Sequence, residues 1–337
     1  MSLPFSNLAR PLARQPSSAC RASTRPTIIT ATTAIYPERK SEGGRRRRPS
    51  GDGRLKWHQG ANASILTPME PSEATDTLIR LACFIGALVL FALLEAAFPR
   101  RQRQVSRKAR WPSNLGISAL NQLVLRLVLP ASAIALAVRL EQEGWGLLAQ
   151  LTWPTWIELA AAVLILDLAI YLQHRLYHAV PFLWRFHRMH HADLDFDVTT
   201  GIRFHPLSLL LSGLIKLGAV LIIGPSPFAV LVFEVLLNAT TMFNHSNLKL
   251  PRPFDRILRL VIVTPDMHRV HHSADPAETN RNFGFNFPWW DRLFKTYRPQ
   301  PALGHEAMTV GLEDFRSAGE LRLDRMLSQP FRSGTGS

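Results

Sequence analysis

The sequence predicts an all-α integral-membrane helical bundle carrying a histidine-rich helical cap, on three grounds. Of 337 residues, 47% are hydrophobic and only 19% charged, and the apolar residues gather into runs of membrane-spanning length. The two cysteines, Cys20 and Cys83, exclude a disulfide scaffold and any cysteine-rich metal site. Within residues 174–272, histidines recur in short clusters at helical spacing.

The formal charge of +14 is unevenly placed. Residues 1–68 hold 12 basic and 3 acidic side chains, or +9, and the remaining 269 residues carry +5. The run Arg45 to Arg48 lies in Ser/Thr/Pro/Gly-rich sequence without apolar periodicity, which reads as a disordered basic extension and not as a nucleic-acid-binding domain. Arg10, Arg14, Arg21 and Arg25 precede the first acid, a composition shared with organelle targeting segments, while Met69 opens a plausible native start directly before the first hydrophobic run. The expected organisation is a basic N-terminal extension over 1–68 (a non-native start or a targeting segment), a membrane-embedded domain over 69–300, and a C-terminal tail over 301–337 in which Glu313 to Phe331 suggests an amphipathic helix.

Leu78 to Phe98 is the clearest span, about 20 largely apolar residues that can cross a ~30 Å hydrocarbon layer. Leu115 to Leu140 is a second, interrupted by Asn121, Gln122, Arg126 and Pro130, which should face protein or an interface. Trp156 to Leu172 follows, with Trp153 and Trp156 at the end where amphipathic rings favour headgroups. Leu207 to Ile223 and Phe228 to Phe243 form a helical hairpin across Gly-Pro-Ser-Pro. The first two spans are joined by Arg100, Arg101, Arg103, Arg107, Lys108 and Arg110 with no acid, which places that loop in the cytoplasm. Alternation then puts every clustered histidine on the cytoplasmic face, in a bacterial inner membrane or a eukaryotic endomembrane.

His174 and His178 form H-x-x-x-H, and residues four apart share a helix face. His187, His190 and His191 form H-x-x-H-H, which His268, His271 and His272 repeat. His245 follows the hairpin as a ninth donor. A single H-x-x-x-H is more often an interfacial or capping pair; three clusters shift the balance toward metal. Nine ligands exceed what one ion accepts, so the count suggests two metals. All-nitrogen ligation suits iron, and zinc and copper satisfy the same ligand type. Asp167, Tyr171, His174 and His178 lie on one helical stripe, where Asp167 can accept the outer N–H of a ligating imidazole. Glu234, Asn238, Thr241 and His245 repeat that spacing, with interhelical polar packing an equal alternative.

These motifs resemble the fatty acid hydroxylase and sterol desaturase superfamily of integral-membrane, non-haem di-iron enzymes. The resemblance covers roughly residues 75–300. It rests on Asp167 through the His174-to-His178 box, Phe186 to His191, Thr199 to Leu207, Thr264 to Ser273, Asn282 to Phe285, and Trp290 to Phe294. Ser208, where such proteins often have Glu, and Lys295, where Gly is usual, depart from it. The resemblance implies a cap holding a di-iron centre, with ligand roles for His174, His178, His187, His190, His191, His245, His268, His271 and His272. Asn282 and Asp291 are further candidates for bonding outer histidine nitrogens, beside Asp167 and Tyr171. His205 is a positioning candidate or an interface contact for Arg203.

The implied activity is hydroxylation or desaturation of a lipid C–H bond, the lipid being a sterol, a fatty acyl chain or another long-chain substrate, with two iron ions as cofactor and O2 as co-substrate. Phe182, Trp184, Phe283, Phe285, Trp289 and Trp290 are available to line an entry path or to form an interfacial belt. No G-x-G-x-x-G or C-x-x-C-H motif appears, so electrons are expected from a cytochrome b5-like protein or a ferredoxin with its reductase. Arg100, Arg101 and Lys108 offer a docking surface for such an acidic donor, beside their role in setting topology. Competing readings are a metal-dependent membrane hydrolase or isomerase, and a non-enzymatic membrane metal-binding protein.

Overall fold

Helices form where the apolar runs predict them. The computed structural model describes residues 71–333, so the basic extension expected over 1–68 lies outside the described residues. In chain order come α1 (Pro71–Ala97), α2 (Arg107–Val128), α3 (Ala133–Glu143), α4 (Thr155–Ala179) and α5 (Pro181–His191). Next are α6 (Pro206–Ile223), α7 (Pro227–Asn244), α8 (Arg252–Leu258) and α9 (Pro265–His271). Four short helices complete the chain, α10 (Pro276–Thr279), α11 (Trp289–Leu293), α12 (Gly304–Ala307) and α13 (Leu323–Ser328). Among the described residues there is no strand, only the isolated bridges Pro99–Leu248 and Ser273–Val310.

Among the described residues, five stretches are long and apolar enough to cross a membrane: Thr75–Ala97, Arg107–Gln150, Thr155–Ala179, Pro206–Ile223 and Pro227–Asn244. Leu78, Leu81, Ile85 and Val89 of α1 are exposed, as on a lipid-facing helix, while Phe84, Leu88 and Phe91 pack inward against Val198, Ile202 and Met242. The main core lies between α3, α4, α6 and α7, around Ala137, Leu166, Ile170, Val220, Val230 and Phe233.

The second span differs from the unbroken helix expected over Leu115 to Leu140. α2 stops at Val128 and α3 starts at Ala133. Pro130 is the cause: it has no N–H to give, and it holds Leu129 in extended conformation (φ −77°, ψ 138°). Ser132 then caps α3 by accepting from Ala135 N at 3.1 Å. The pieces still belong to one apolar stretch, Arg107–Gln150. Arg110 of α2 reaches the histidine end, and Trp145 beyond α3 donates from Nε1 to Leu221 O near the far end of α6 at 2.9 Å.

The segment after residue 300 is built into the domain. Met326 is fully buried against Ile117 and Met189, and Arg188 Nη2 donates to Gln329 O at 2.8 Å. The helix expected over Glu313 to Phe331 is reduced to α13 between 3₁₀ turns at Ala318–Leu321 and Gln329–Phe331. Phe315 sits at φ 61°, held under the Arg188 and Arg332 guanidiniums at 5.0 and 5.3 Å, and this tertiary contact overrides the helical pattern.

At the far end, α6 terminates on Gly224 in left-handed conformation (φ 56°). A Cβ there would lie 2.2 Å from Trp145 O and 2.7 Å from Gly146 Cα. Gly224→Ala should therefore cost at least ~1 kcal/mol, about 2–4 °C of melting temperature for a domain of this size. An unchanged melting curve in detergent would show that the ends of α3 and α6 part without cost.

Candidate metal centre

Two helical boxes, one hairpin end and one short helix bring the nine clustered histidines together. α4 supplies His174 and His178 from its last two turns. α5 supplies His187, His190 and His191, and α9 with its cap supplies His268, His271 and His272. His245 caps the C-terminus of α7. The rings divide into two groups, His174, His178, His187, His191 and His271 in one, and His190, His245, His268 and His272 in the other. Within each group the donor nitrogens all lie within 4.8 Å of one another.

The direction of the rings is decisive. His174 Nδ1 donates to Phe283 O at 2.8 Å and His271 Nδ1 to Arg281 O at 2.8 Å. Their Nε2 atoms then face each other at 3.0 Å. In the second group, His190 Nδ1 donates to Arg203 O at 3.2 Å and His245 Nδ1 to Thr241 O at 2.7 Å, and their Nε2 atoms lie 3.2 Å apart. With the proton on Nδ1, each Nε2 presents a lone pair, and two lone pairs at this distance repel unless a cation lies between them. His272 is buried with neither ring nitrogen paired, and His178 Nε2 is also buried without a partner. The donor set thus fits metal ions, one to each group.

Burial keeps these rings neutral. Desolvation pushes His187, His190, His191, His268, His271 and His272 well below the ordinary imidazole value, reinforced by repulsion from neighbouring imidazoles. Burial likewise brings His245 down to about 3. Neutral imidazole is the form that ligates.

Residues 159–296 match the fatty acid hydroxylase family. The matched stretch includes every histidine of the two groups. It is 32% identical over 187 residues to the ornithine lipid hydroxylase of Rhizobium tropici, covering 53% of this chain and 52% of that protein. It is 31% identical over 150 residues to the alkylglycerol monooxygenase of Danio rerio, covering 44% of this chain and 31% of the relative. A cholesterol 25-hydroxylase-like protein of Danio rerio is 27% identical over 251 residues, 69% of this chain and 92% of its own length. The chain thus spans about half of the first relative and a third of the second. No solved structure matches it.

The fold places the predicted supporting residues one step further from the histidines than expected. Asp167 accepts from Trp290 Nε1 at 2.8 Å and from Asn286 N at 3.3 Å, and not from an imidazole. Asp291 accepts from Phe283 N and Gly284 N at 2.8 and 2.9 Å, and so fixes the carbonyl that orients His174. Tyr171 Oη meets Thr296 Oγ1 at 2.8 Å, and Thr296 in turn donates to Asp291 Oδ1 at 2.7 Å. Asn282, at φ 53°, donates to Met267 O at 2.9 Å and Arg298 O at 2.7 Å. Asp167, Tyr171 and Asn282 tie the 282–298 loop to α4 or α9, and Asp291 fastens that loop to itself. The helical stripe could not show this, because the outer protons of His174, His190, His245 and His271 go to backbone carbonyls.

His205 lies apart from both groups. Its Nδ1 accepts from Leu207 N at 3.2 Å, capping α6, and its Nε2 donates to Leu327 O at 3.2 Å. Of the aromatics, Phe283 and Phe285 pack directly on the His174 ring at 5.6 and 4.9 Å. Trp184 covers His178 and His191 at 4.8 and 5.3 Å, whereas Phe182 is exposed.

The sequence reading missed a buried ionic clamp. Arg110 grips Asp193 with Nε and Nη2, each at 2.7 Å, and Asp197 with Nη1 at 2.7 Å. Asn114 links Asp193 to Arg203, whose carbonyl orients His190. Burial pushes the Asp193 carboxyl up, and the Arg110 guanidinium more than reverses this, holding it well below the usual carboxylate range. The available signal was the alternation Asp193, Asp195, Asp197 directly after His190 and His191. Arg110→Met strands two buried carboxylates. It should cost ~3–5 kcal/mol, read as a lower melting temperature together with weaker metal retention in the four-histidine group. Asp167→Asn, which can keep the Trp290 and Asn286 contacts, should change both far less; equal losses would remove the distinction between clamp and support.

Proposed function

We propose that this chain is a membrane-bound non-haem di-iron oxygenase that hydroxylates a C–H bond of a lipid, using O2 and electrons from a separate protein. The observation that carries the proposal is the convergence of neutral imidazole lone pairs in two buried groups at one end of a membrane-type bundle. His174, His178, His187, His191 and His271 would hold one iron, and His190, His245, His268 and His272 the other. When bound, iron supplies O2 activation and oxidation of an unactivated C–H bond. The balance is R–H + O2 + 2 e⁻ + 2 H⁺ → R–OH + H2O.

The chain's own contribution is to hold, orient and dry the site. Phe283 O, Arg281 O, Arg203 O and Thr241 O fix four of the rings. Phe196, Phe204, Phe283 and Phe285 wall the groups off from water. The relatives named above hydroxylate or mono-oxygenate lipids, which favours hydroxylation over desaturation here. A lipid substrate also agrees with five apolar helices beside the site.

The basic α1–α2 loop supports a cytoplasmic placing of the histidine end. Part of that basicity is already committed, since Arg100 pairs with Asp266 and Glu306 and Arg107 with Glu95. Arg103 and Lys108 remain exposed for an acidic donor of the cytochrome b5-like or ferredoxin class.

Iron-loaded protein should contain about two irons per chain and form hydroxylated lipid carrying oxygen from labelled O2, only with reductant present. His190→Ala and His271→Ala, one from each group, should each lower iron content and abolish product while the protein still inserts. Wild-type iron and activity in both variants would defeat the ligand assignment. Turnover without O2 or reductant would point to hydrolysis or isomerisation instead.

A further inference from the structure

The short helix α8 is built inside out for a surface in water. Phe254, Ile257 and Val261 stand at i, i+3 and i+7, on one stripe of a helix. Helical turns continue past Leu258, since Leu260 N donates to Ile257 O at 3.1 Å and Val261 N to Leu258 O at 3.0 Å. This stripe points outward: Phe254, Ile257, Leu260 and Val261 are 53%, 68%, 55% and 55% exposed. The charged stripe points inward. Arg259 is 8% exposed, pairs with Asp255 and donates to Pro299 O at 3.1 Å. A helix lying against water shows the reverse, and an exposed apolar face marks a surface that meets lipid or protein.

What covers the face follows from its neighbours. Trp289 of α11, itself exposed, donates from Nε1 to Leu260 O at 2.7 Å and stacks on Phe287 at 4.7 Å. Phe287 packs into the core between the membrane-type helices α3, α4, α6 and α7. Trp290 reaches Asp167, which lies halfway along α4, ~18 Å from either end at ~1.5 Å per residue. Phe294 stacks on Tyr171, one turn nearer the histidine end, at 5.4 Å. The layer of α8 and α11 therefore lies beside a spanning helix within its apolar length. Exposed Leu293 and Phe294 enlarge the apolar surface, and exposed Arg252 and Arg256 can extend to headgroups. The N–H groups of residues 259–262 all donate to main-chain carbonyls, as hydrocarbon requires. Among the same spanning helices, a cavity of about 220 Å³ lined from α2, α4, α6 and α7 reaches His174 and His187.

We propose that α8 and α11 form a membrane contact outside the five spanning stretches, an in-plane layer sunk into the leaflet at the histidine end. Phe254, Ile257, Leu260 and Val261 then lie against phospholipid acyl chains. Arg281 O and Phe283 O, which orient His271 and His174, lie on the loop that leads into α11, so the leaflet backs the loop that aims the five-histidine group. The placement holds whether or not the chain is an oxygenase. In the test, the unaltered full-length chain is placed in phospholipid nanodiscs whose lipids carry a photoactivatable diazirine on the acyl chain, and labelled peptides are mapped by mass spectrometry. Residues 252–262 and 289–294 should be labelled to within about three-fold of the exposed face of α1. Label on α1 without label on these two segments would overturn the proposal, and this arm needs no variant to fold. A second arm places a spin label at Ile257→Cys in a chain carrying Cys20→Ser and Cys83→Ser. Its collisions with lipid-soluble O2 should exceed those with a water-soluble nickel chelate about ten-fold, as at Leu81→Cys on α1. Preferential collision with the chelate would overturn the proposal, as would dipolar broadening between labels of two copies, which would assign the face to a chain–chain interface.

Discussion

Everything at the histidine end follows from holding imidazole lone pairs toward one another in a place where they cannot be protonated. A water-exposed set of nine imidazoles would take up protons and drift apart. Here burial removes that escape, and the outer nitrogens of four rings are tied to main-chain carbonyls. A carbonyl fixes tautomer and ring plane without adding a formal negative charge beside the site. That differs from the carboxylate-assisted arrangement suggested by Asp167 on the ligand helix. The carboxylates act instead on the backbone that carries those carbonyls, as Asp291 does for Phe283.

That arrangement transfers the burden to loops, and loops need fastening. The Asp193–Arg203 segment would be a poor platform on its own, being mostly irregular. It is fastened by a fully buried guanidinium, Arg110, reaching over from α2. Glu95 of α1 performs a related task, accepting from Val198 N and Asn247 N while pairing with Arg107. Buried ion pairs are weak evidence for net stability, because desolvation offsets attraction. Their value here is geometric: both carboxylate clamps bring α1 or α2 onto the segments that flank His190, His191 and His245.

What could be read from the sequence was what repeats locally. The H-x-x-x-H and H-x-x-H-H spacings are short-range facts about helix faces, and all nine rings meet in the two groups. Span lengths are equally local, and four of the five appear nearly where hydropathy put them. The break at Pro130 was visible as a residue without being read as a helix end, since apolar residues continue on both sides. Long-range partners were not visible at all. Trp290 stands 123 positions from Asp167, and nothing in an indole's neighbourhood announces which carboxylate it will meet. The run Arg100 to Arg110 hid its partners in a similar way. Read as charge it sets topology; in the fold, Arg110 and Arg100 are consumed by partners that lie far along the chain.

The two histidine groups are chemically alike but differently placed. The cavity between the membrane helices touches His174 and His187 of the five-membered group and none of the other four-membered set. His190, by contrast, is stacked on Phe204 at 4.5 Å, and His245 lies against Phe196 at 5.7 Å. The five-histidine group therefore borders the cavity, with the second group behind an aromatic wall. This asymmetry divides the labour that the fold imposes. One group faces the cavity, while the other is closed off and fastened through Arg203 to the ionic clamp. The cavity walls on α4 and α6 lie on other helices than Arg110 and Asn114, and so can change without disturbing the clamp that keeps the donors aimed.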